Sequence, residues 1–155
     1  MDLARLAALV AVLATAVVYG TDVFCAIVQR PALARVDDQA LVAVMGNVHL
    51  YGDRRMPVPG AISIIAAVAT GAFAALAGRW IAAGASAAAV GLLLIWLALY
   101  VGVSAPINRR LTAAATAGDV PTNARVMQGD WDRIITARAV LQGLAIVALC
   151  VALVS

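Results

Sequence analysis

The chain has 155 residues, of which 65% are hydrophobic and 12% are charged, with a net charge of +3 and a mean hydropathy of +0.99. A soluble domain is roughly half apolar and a quarter charged, so this composition argues against a soluble domain and indicates a membrane protein. The positive charge is too small and too scattered for a nucleic-acid surface, so we expect no nucleic-acid partner.

Four apolar runs are long enough to cross a bilayer, which takes about 20 residues in a helix. Because lipid offers no partner for open backbone groups, these runs must be helices. The sequence therefore predicts an all-α, polytopic bundle of four transmembrane helices, forming one domain over residues 1–155. The four runs lie near Leu3–Val28, Val58–Ala77, Ile81–Val103 and Ala139–Val154.

The arginines predict the orientation of the bundle. Two long connections, between helices one and two and between helices three and four, carry most of them, whereas the other side has only Arg5 and Arg79. Short basic loops stay in the cytoplasm, so we expect the long connections to be cytoplasmic and both termini to be outside, in a bacterial inner membrane. The arginines of the two connections are Arg30, Arg35, Arg54 and Arg55, then Arg109, Arg110, Arg125, Arg133 and Arg138.

Each long connection begins with a proline, Pro31 or Pro106, and continues into an amphipathic stretch before the next span. A proline disfavours the helical conformation of the residue before it, so we expect helices one and three to end there. Asp37 or Asp38 is placed to cap the first amphipathic helix, and Asp119 the second.

The two halves of the chain resemble one another, which suggests two helix-pair repeats. Aligning Val44–Met45 with Val126–Met127 places His49 opposite Trp131. If the repeat is real, these two side chains face each other at the cytoplasmic mouth of the bundle, where internal repeats tend to build sites. Chance similarity within an apolar sequence is the alternative.

Asp22 is an ionisable residue deep in helix one, with Tyr19 one turn earlier on the same face. An unpaired carboxylate there costs a few kcal/mol, so it must face protein or a cavity and find a partner. Arg138 in helix four lies at a similar depth, and we expect the two to pair. The pair either orients the bundle or lines a cavity that binds substrate.

His49 and Asp53 are spaced so that a helix places both on one face. A carboxylate beside an imidazole raises its basicity, as a general base requires, so both are candidate catalytic residues. A histidine at the lipid headgroups is the alternative. A zinc or copper site would lack suitable further ligands, so we predict no metal; if one is present, His49 is its expected ligand.

Asn47, Asn108 and Trp131 complete the candidate substrate contacts. Either asparagine could instead cap a helix end, and Trp131 could belong to an interfacial belt. Phosphate-binding loops, serine-elbow motifs and Cys-x-x-Cys pairs are absent from the sequence, which disfavours nucleotide, acyl-enzyme and thiol-redox chemistry.

The segments "VQRPALARVDD", "SAPINRRL" and "WDRIITARAVLQGLAIVAL" carry a family resemblance along nearly the whole chain. In this order they resemble the anthrone-oxygenase-like family of small four-helix membrane proteins, long described as a domain of unknown function. The chain has Ile135 and Thr136 where many members carry Asn-His, and His49 where others often have Asn. The residues that carry the resemblance are Pro31, Leu33, Asp37, Pro106, Asn108, Trp131 and Arg138.

The resemblance implies a four-helix membrane bundle and, from some fungal members, oxidation of an anthrone to an anthraquinone with molecular oxygen and no bound cofactor. His49 would then be the base and Asp53 its orienting partner. Asn108 or Arg138 would stabilise an oxyanion, and Trp131 would stack on the substrate rings.

Two other functions are compatible with the sequence. One is a non-catalytic protein that binds a lipid, a quinone or a protein partner, with small-residue faces on helices two and three that would support homo-oligomers. The other is an oxidase with haem or copper, held by His49 with Met45 or Met56. An enzyme needs a cavity that joins Asp22, His49, Asn108, Trp131 and Arg138, whereas a scaffold would pack this region solid.

Overall fold

The computed structural model describes residues 2–155, and this range is helical with no strand. Two five-residue π-helical segments, Cys25–Gln29 and Tyr100–Ser104, join α1 to α2 and α5 to α6 without a break. The all-α prediction is confirmed. The α-helices are α1 (Leu3–Phe24), α2 (Arg30–Leu33), α3 (Asp38–Arg55), α4 (Pro57–Leu76), α5 (Trp80–Leu99), α6 (Ala105–Ala117) and α7 (Ala124–Val154).

Within residues 2–155, four helical stretches are long and apolar enough to cross a membrane, so the chain is a multi-pass membrane protein with a four-helix bundle. α1 and α5 each pack against both α4 and α7, which closes the bundle. Large apolar side chains such as Ile65 and Leu76 point outward, as lipid-facing residues do. The four stretches are Leu3–Leu33, Pro57–Leu76, Trp80–Ala117 and Ala124–Val154.

The two ends of the bundle differ in what they hold. At one end, Ala4, Ala74, Ala82 and Ala152 pack together, which brings both termini beside the short turn between α4 and α5. At the other, which we call the α3 end, side chains of α3, α6 and the start of α7 form a separate core. The two arginine-rich connections therefore meet at the same end of the bundle.

Pro31 and Pro106 do not end their helices, so that prediction is wrong. Within an α-helix a proline lacks the N–H donor and clashes with the carbonyl four residues earlier. Here the residue before each proline, Arg30 or Ala105, donates its backbone N–H five residues back, to Cys25 or Tyr100. The widened π turn accommodates the proline, and the chain remains helical to Leu33 and Ala117.

The two predicted amphipathic helices had different outcomes. The first is α3, and Asp37 caps it by accepting a hydrogen bond from the Ala40 N–H at 2.7 Å, as predicted. The second is not a separate helix, because it forms the first turns of α7. Asp119 does not cap it: Asn123 precedes α7 and makes no side-chain capping bond.

A close approach at Gly46 fixes α3 against α6. A Cβ at this position would lie 2.6 Å from the carbonyl oxygen of Leu111 and would clash with the Cβ of Ala115, so only glycine fits. The Thr112 hydroxyl also donates to the Gly46 carbonyl at 3.1 Å. This contact lies one turn before His49 and sets the position of the histidine over the end of the bundle.

Candidate functional site

A buried ion pair joins α1 to α7 inside the bundle, as the sequence predicts. Arg138 donates through Nη2 to Asp22 Oδ1 at 3.0 Å, and the two side chains are 7% and 5% exposed. Gln142 Nε2 and Trp96 Nε1 donate to Asp22 Oδ2 at 2.6 and 3.4 Å. Ser104 accepts from Arg138 Nη1 at 3.0 Å. Asp22 and Arg138 therefore neutralise each other, whereas two buried atoms of the same cluster, Arg138 Nε and Gln142 Oε1, have no hydrogen-bond partner among residues 2–155.

A second polar network connects the α3 end to the bundle. Asp53 Oδ1 accepts hydrogen bonds from the Tyr100 hydroxyl and from Asn108 Nδ2, both at 2.8 Å. Asn108 Oδ1 in turn accepts from the Trp131 indole N–H at 3.0 Å. The Asp53 carboxylate thus joins α3 directly to the π-helical segment Tyr100–Ser104 and to α6, and through Asn108 it is linked to α7. These hydrogen bonds fix the orientation of each side chain in the network.

His49 lies beside Trp131, where the repeat alignment places it: the centroids of their rings are 5.4 Å apart. The imidazole is 4% exposed, and its Nε2 atom has no hydrogen-bond partner among residues 2–155. A buried polar atom without a partner is costly, so such an atom in a cavity wall is a natural contact for a ligand.

The predicted pairing of His49 with Asp53 is not observed. The Asp53 carboxylate is engaged by Tyr100 and Asn108, and no hydrogen bond joins it to the imidazole in the described part of the chain. Burial lowers the pKa of His49 from 6.5 to about 4; the charge of Asp53 opposes this effect and that of Arg138 adds to it. The expected rise in basicity is therefore wrong, because desolvation outweighs the carboxylate.

A cavity of about 480 Å³ connects the ion pair, the second network and the histidine. Side chains of α1, α3, α4, α5, α6 and α7 line it, and most of them are apolar. Six of the eight residues predicted to form a site lie in its wall. These are Asp22, His49, Asp53, Asn108, Trp131 and Arg138.

The other two predicted contacts, Tyr19 and Asn47, lie away from the cavity. The Tyr19 ring packs on α7, where a Cβ at Gly143 would lie 3.3 Å from its Cε2 atom. Asn47 is exposed and donates to the carbonyl of Ala43 at 2.8 Å, within its own helix. Tyr19 and Asn47 lie one turn or less from cavity residues of the same helix, but their side chains lie on helix faces that do not meet the cavity.

The possible metal ligands are dispersed. In the described range, no group of three or more His, Cys, Asp or Glu side chains is arranged to hold a metal ion. Met45 is fully buried and its sulfur accepts a hydrogen bond from Gln29 Nε2 at 3.2 Å, whereas Met56 lines the cavity. Of the two thioethers considered for haem or copper, only Met56 shares the cavity with His49.

Trp96, Tyr100 and Ser104 belong to the site but are missed by the sequence reasoning. The Arg138 guanidinium carbon lies 5.8 Å from the centroid of the Trp96 ring and 5.3 Å from that of Tyr100, so both rings contribute cation–π contacts. The sequence does hold one indication of two of them: Trp96 and Tyr100 are four residues apart in an otherwise aliphatic span, a spacing that puts both rings on one helix face.

Comparisons with family models, curated proteins and solved structures find no match to this chain.

The single histidine makes the pH dependence of stability a direct probe of its burial. The folded state keeps His49 neutral down to about pH 4, whereas the unfolded chain binds a proton below about 6.5. Between these values the unfolded state binds more protons, so we expect stability to fall as the pH drops from 6.5 to 4, by roughly 3 kcal/mol in all.

Unfolding of the protein in lipid nanodiscs, followed by circular dichroism from pH 4 to 7, measures this effect. The control is His49→Gln, which cannot titrate and should lose that part of the slope. An equal slope in both proteins would show that His49 is not held neutral by burial.

Proposed function

We propose that this protein is a membrane-embedded oxygenase that acts on a planar, hydrophobic, anthrone-like aromatic molecule, with His49 as base and molecular oxygen as oxidant. The observation that carries the proposal is the cavity itself. It joins Asp22, His49, Asn108, Trp131 and Arg138, where a scaffold would be packed solid.

The cavity has the size and character of a small-molecule site. Its volume of about 480 Å³ falls within the range of roughly 300 to 1,000 Å³ that is typical of ligand pockets. An apolar wall with a few fixed polar groups suits a flat hydrocarbon that carries a small number of oxygen atoms. Molecular oxygen is also apolar and would enter such a space readily.

The charges in the cavity support a proton transfer. Because Asp22 neutralises Arg138, and burial keeps His49 uncharged, the imidazole is in the form that accepts a proton. The role requires the tautomer with its lone pair on Nε2, the atom that has no partner in the described chain. The imidazole is a weak base in the empty cavity, but a substrate anion formed beside it stabilises the imidazolium and raises its basicity.

The proposed reaction consumes one substrate and one O2. His49 removes a proton from the benzylic CH2, and the C–H electron pair remains on the substrate as an enolate. The enolate carbon is oxidised by O2 in a net two-electron step that forms a C–O bond, and the imidazolium returns the proton to give a hydroperoxide. Loss of the second benzylic proton, with cleavage of the O–O bond, yields the ring ketone and one water.

The remaining polar side chains have supporting roles in this proposal. Asn108 and Arg138 each retain N–H groups beyond those used in the two networks, and these would stabilise the enolate oxygen. Trp131 offers an aromatic wall for the substrate rings. Asp53 holds Asn108 and Tyr100 in place instead of orienting the imidazole.

The proposed function also includes a location and an orientation in the membrane. The arginines at the α3 end favour a cytoplasmic location for that end, with both termini outside, in a bacterial inner membrane. Membrane lipid is then the surrounding partner, and small residues on α4 and α5 would support contact between copies of the chain.

The test is an oxygen-consumption assay with anthrone and the purified protein in lipid nanodiscs. We expect one O2 consumed per anthraquinone formed, with oxygen-18 from labelled O2 in the new carbonyl. Empty nanodiscs report spontaneous oxidation. Saturable binding without turnover would instead favour a lipid- or quinone-binding protein, and dependence on added haem or copper would favour the metal oxidase.

A further inference from the structure

The cavity is not enclosed within the bundle, because part of its wall belongs to the lipid-facing surface. Ile65 on α4 is 69% exposed and lines the cavity, as does the exposed Ala61 one turn earlier. Leu97 on α5 is half-buried and lines it as well. All three residues belong to helices that are long and apolar enough to span the membrane.

The opening lies along the side of α4. Pro57, Ala61 and Ile65 follow one another at intervals of four residues, so they form a stripe on one helix face, and all three are exposed and line the cavity. Eight residues of helix correspond to about 12 Å, so the stripe extends from the start of the span well into the apolar layer. Because this stretch of α4 is apolar enough to lie in the membrane, we expect a ligand at Ile65 to meet acyl chains and not water.

Contacts between α4 and α5 limit the opening. Toward the end of the bundle where both chain termini lie, the Ser86 hydroxyl of α5 donates to the carbonyl of Ala67 on α4 at 2.6 Å. One turn further along α4 the two helices are close again, because a Cβ at Gly71 would lie 3.5 Å from the Cβ of Ser86. Nearer the α3 end, a Cβ at Gly60 would lie 3.2 Å from Cη2 of Trp96, so the indole packs on α4 and forms an inner wall. The helices are thus joined beyond the opening, and the cavity lies between them only near the α3 end.

We propose that the cavity is loaded from the bilayer through this side opening, and that Ala61, Ile65 and Leu97 select ligands by their cross-section. The partner is an uncharged, lipophilic aromatic molecule dissolved among the acyl chains. The inference rests on the proposed function only in requiring that the cavity bind such a molecule, and it does not depend on oxidation.

Anthracene, a planar fluorescent hydrocarbon, is a suitable probe because tryptophan emission excites it. Trp96 and Trp131 line the cavity, so binding should appear as saturable energy transfer in phosphatidylcholine vesicles that contain the protein. Stopped-flow mixing with anthracene-loaded vesicles then gives the loading rate.

Two variants test the opening in opposite directions. Ala61→Phe should slow loading at least about tenfold by filling the opening. Ile65→Ala should accelerate it. The matched control is Ala72→Phe, since Ala72 is an exposed alanine on the same helix that does not line the cavity. This control should load at the wild-type rate.

The possible outcomes distinguish a failure of the entry route from a failure of the proposed function. If the wild-type protein binds anthracene but both variants load at its rate, the side opening is wrong. If Val48→Phe at the α3 end slows loading and Ala61→Phe does not, entry occurs beneath α3, which also overturns the inference. If the wild-type protein shows no saturable energy transfer, both the entry route and the proposed function fail.

Discussion

Replacing Asp22 by leucine is expected to lower the free energy of unfolding by about 3 to 5 kcal/mol, because it leaves the buried Arg138 guanidinium without its anion. Both side chains are more than nine-tenths buried, so solvent screening does not reduce this effect. The substitution also removes the acceptor of the Gln142 and Trp96 hydrogen bonds. The measurement is thermal or denaturant unfolding in nanodiscs.

The double variant Asp22→Leu/Arg138→Leu separates the pair from its surroundings. Removing both charges eliminates the unpaired ion, so most of the lost stability should return. The matched surface control is Asp130→Ala, whose ion pair with Arg133 is largely exposed and should contribute at most about 1 kcal/mol. If Asp22→Leu proves no more harmful than Asp130→Ala, the ion pair does not stabilise the bundle.

Replacing His49 by alanine is expected to lower kcat/KM for anthrone oxidation by about 100- to 10,000-fold, the usual contribution of a general base. The reason is that the unpartnered Nε2 atom is the proposed proton acceptor in the cavity wall. Because alanine also leaves space beside Trp131, added imidazole should restore part of the rate. A merely structural role for the histidine would not produce such rescue.

Binding and chemistry can be measured separately in the same variant. Anthracene energy transfer reports whether His49→Ala still binds an aromatic ligand while turnover is lost. Asn47→Ala is the matched control, since Asn47 lies on the same helix but outside the cavity, and it should turn over at the wild-type rate. Full turnover by His49→Ala would show that another group is the base.

Local sequence rules failed at the two prolines for a physical reason. A proline normally ends a helix, but the rule assumes that every other turn keeps the α-helical pattern. One π turn before each proline relieves the clash, and packing at the α3 end stabilises the extended helices. The second π segment, Tyr100–Ser104, contributes both Tyr100 and Ser104 to the site. Its wider turn places Ser104 where α-helical spacing does not predict it.

The apolar runs alone determined that the chain folds as four membrane-spanning helices, since backbone groups in lipid have no other partners. The cost of a charge in lipid likewise determined that Asp22 must find a partner, and the similar depth of Arg138 made it the expected one. Tertiary structure decided the rest. Helical spacing allowed Asp53 to face His49, but the Asp53 carboxylate accepts hydrogen bonds from Tyr100 and Asn108 instead. Those two side chains are near Asp53 only because α3 packs against the continuous helix that carries them. Whether His49 is charged depends on burial, and burial is set by neighbours distant in sequence.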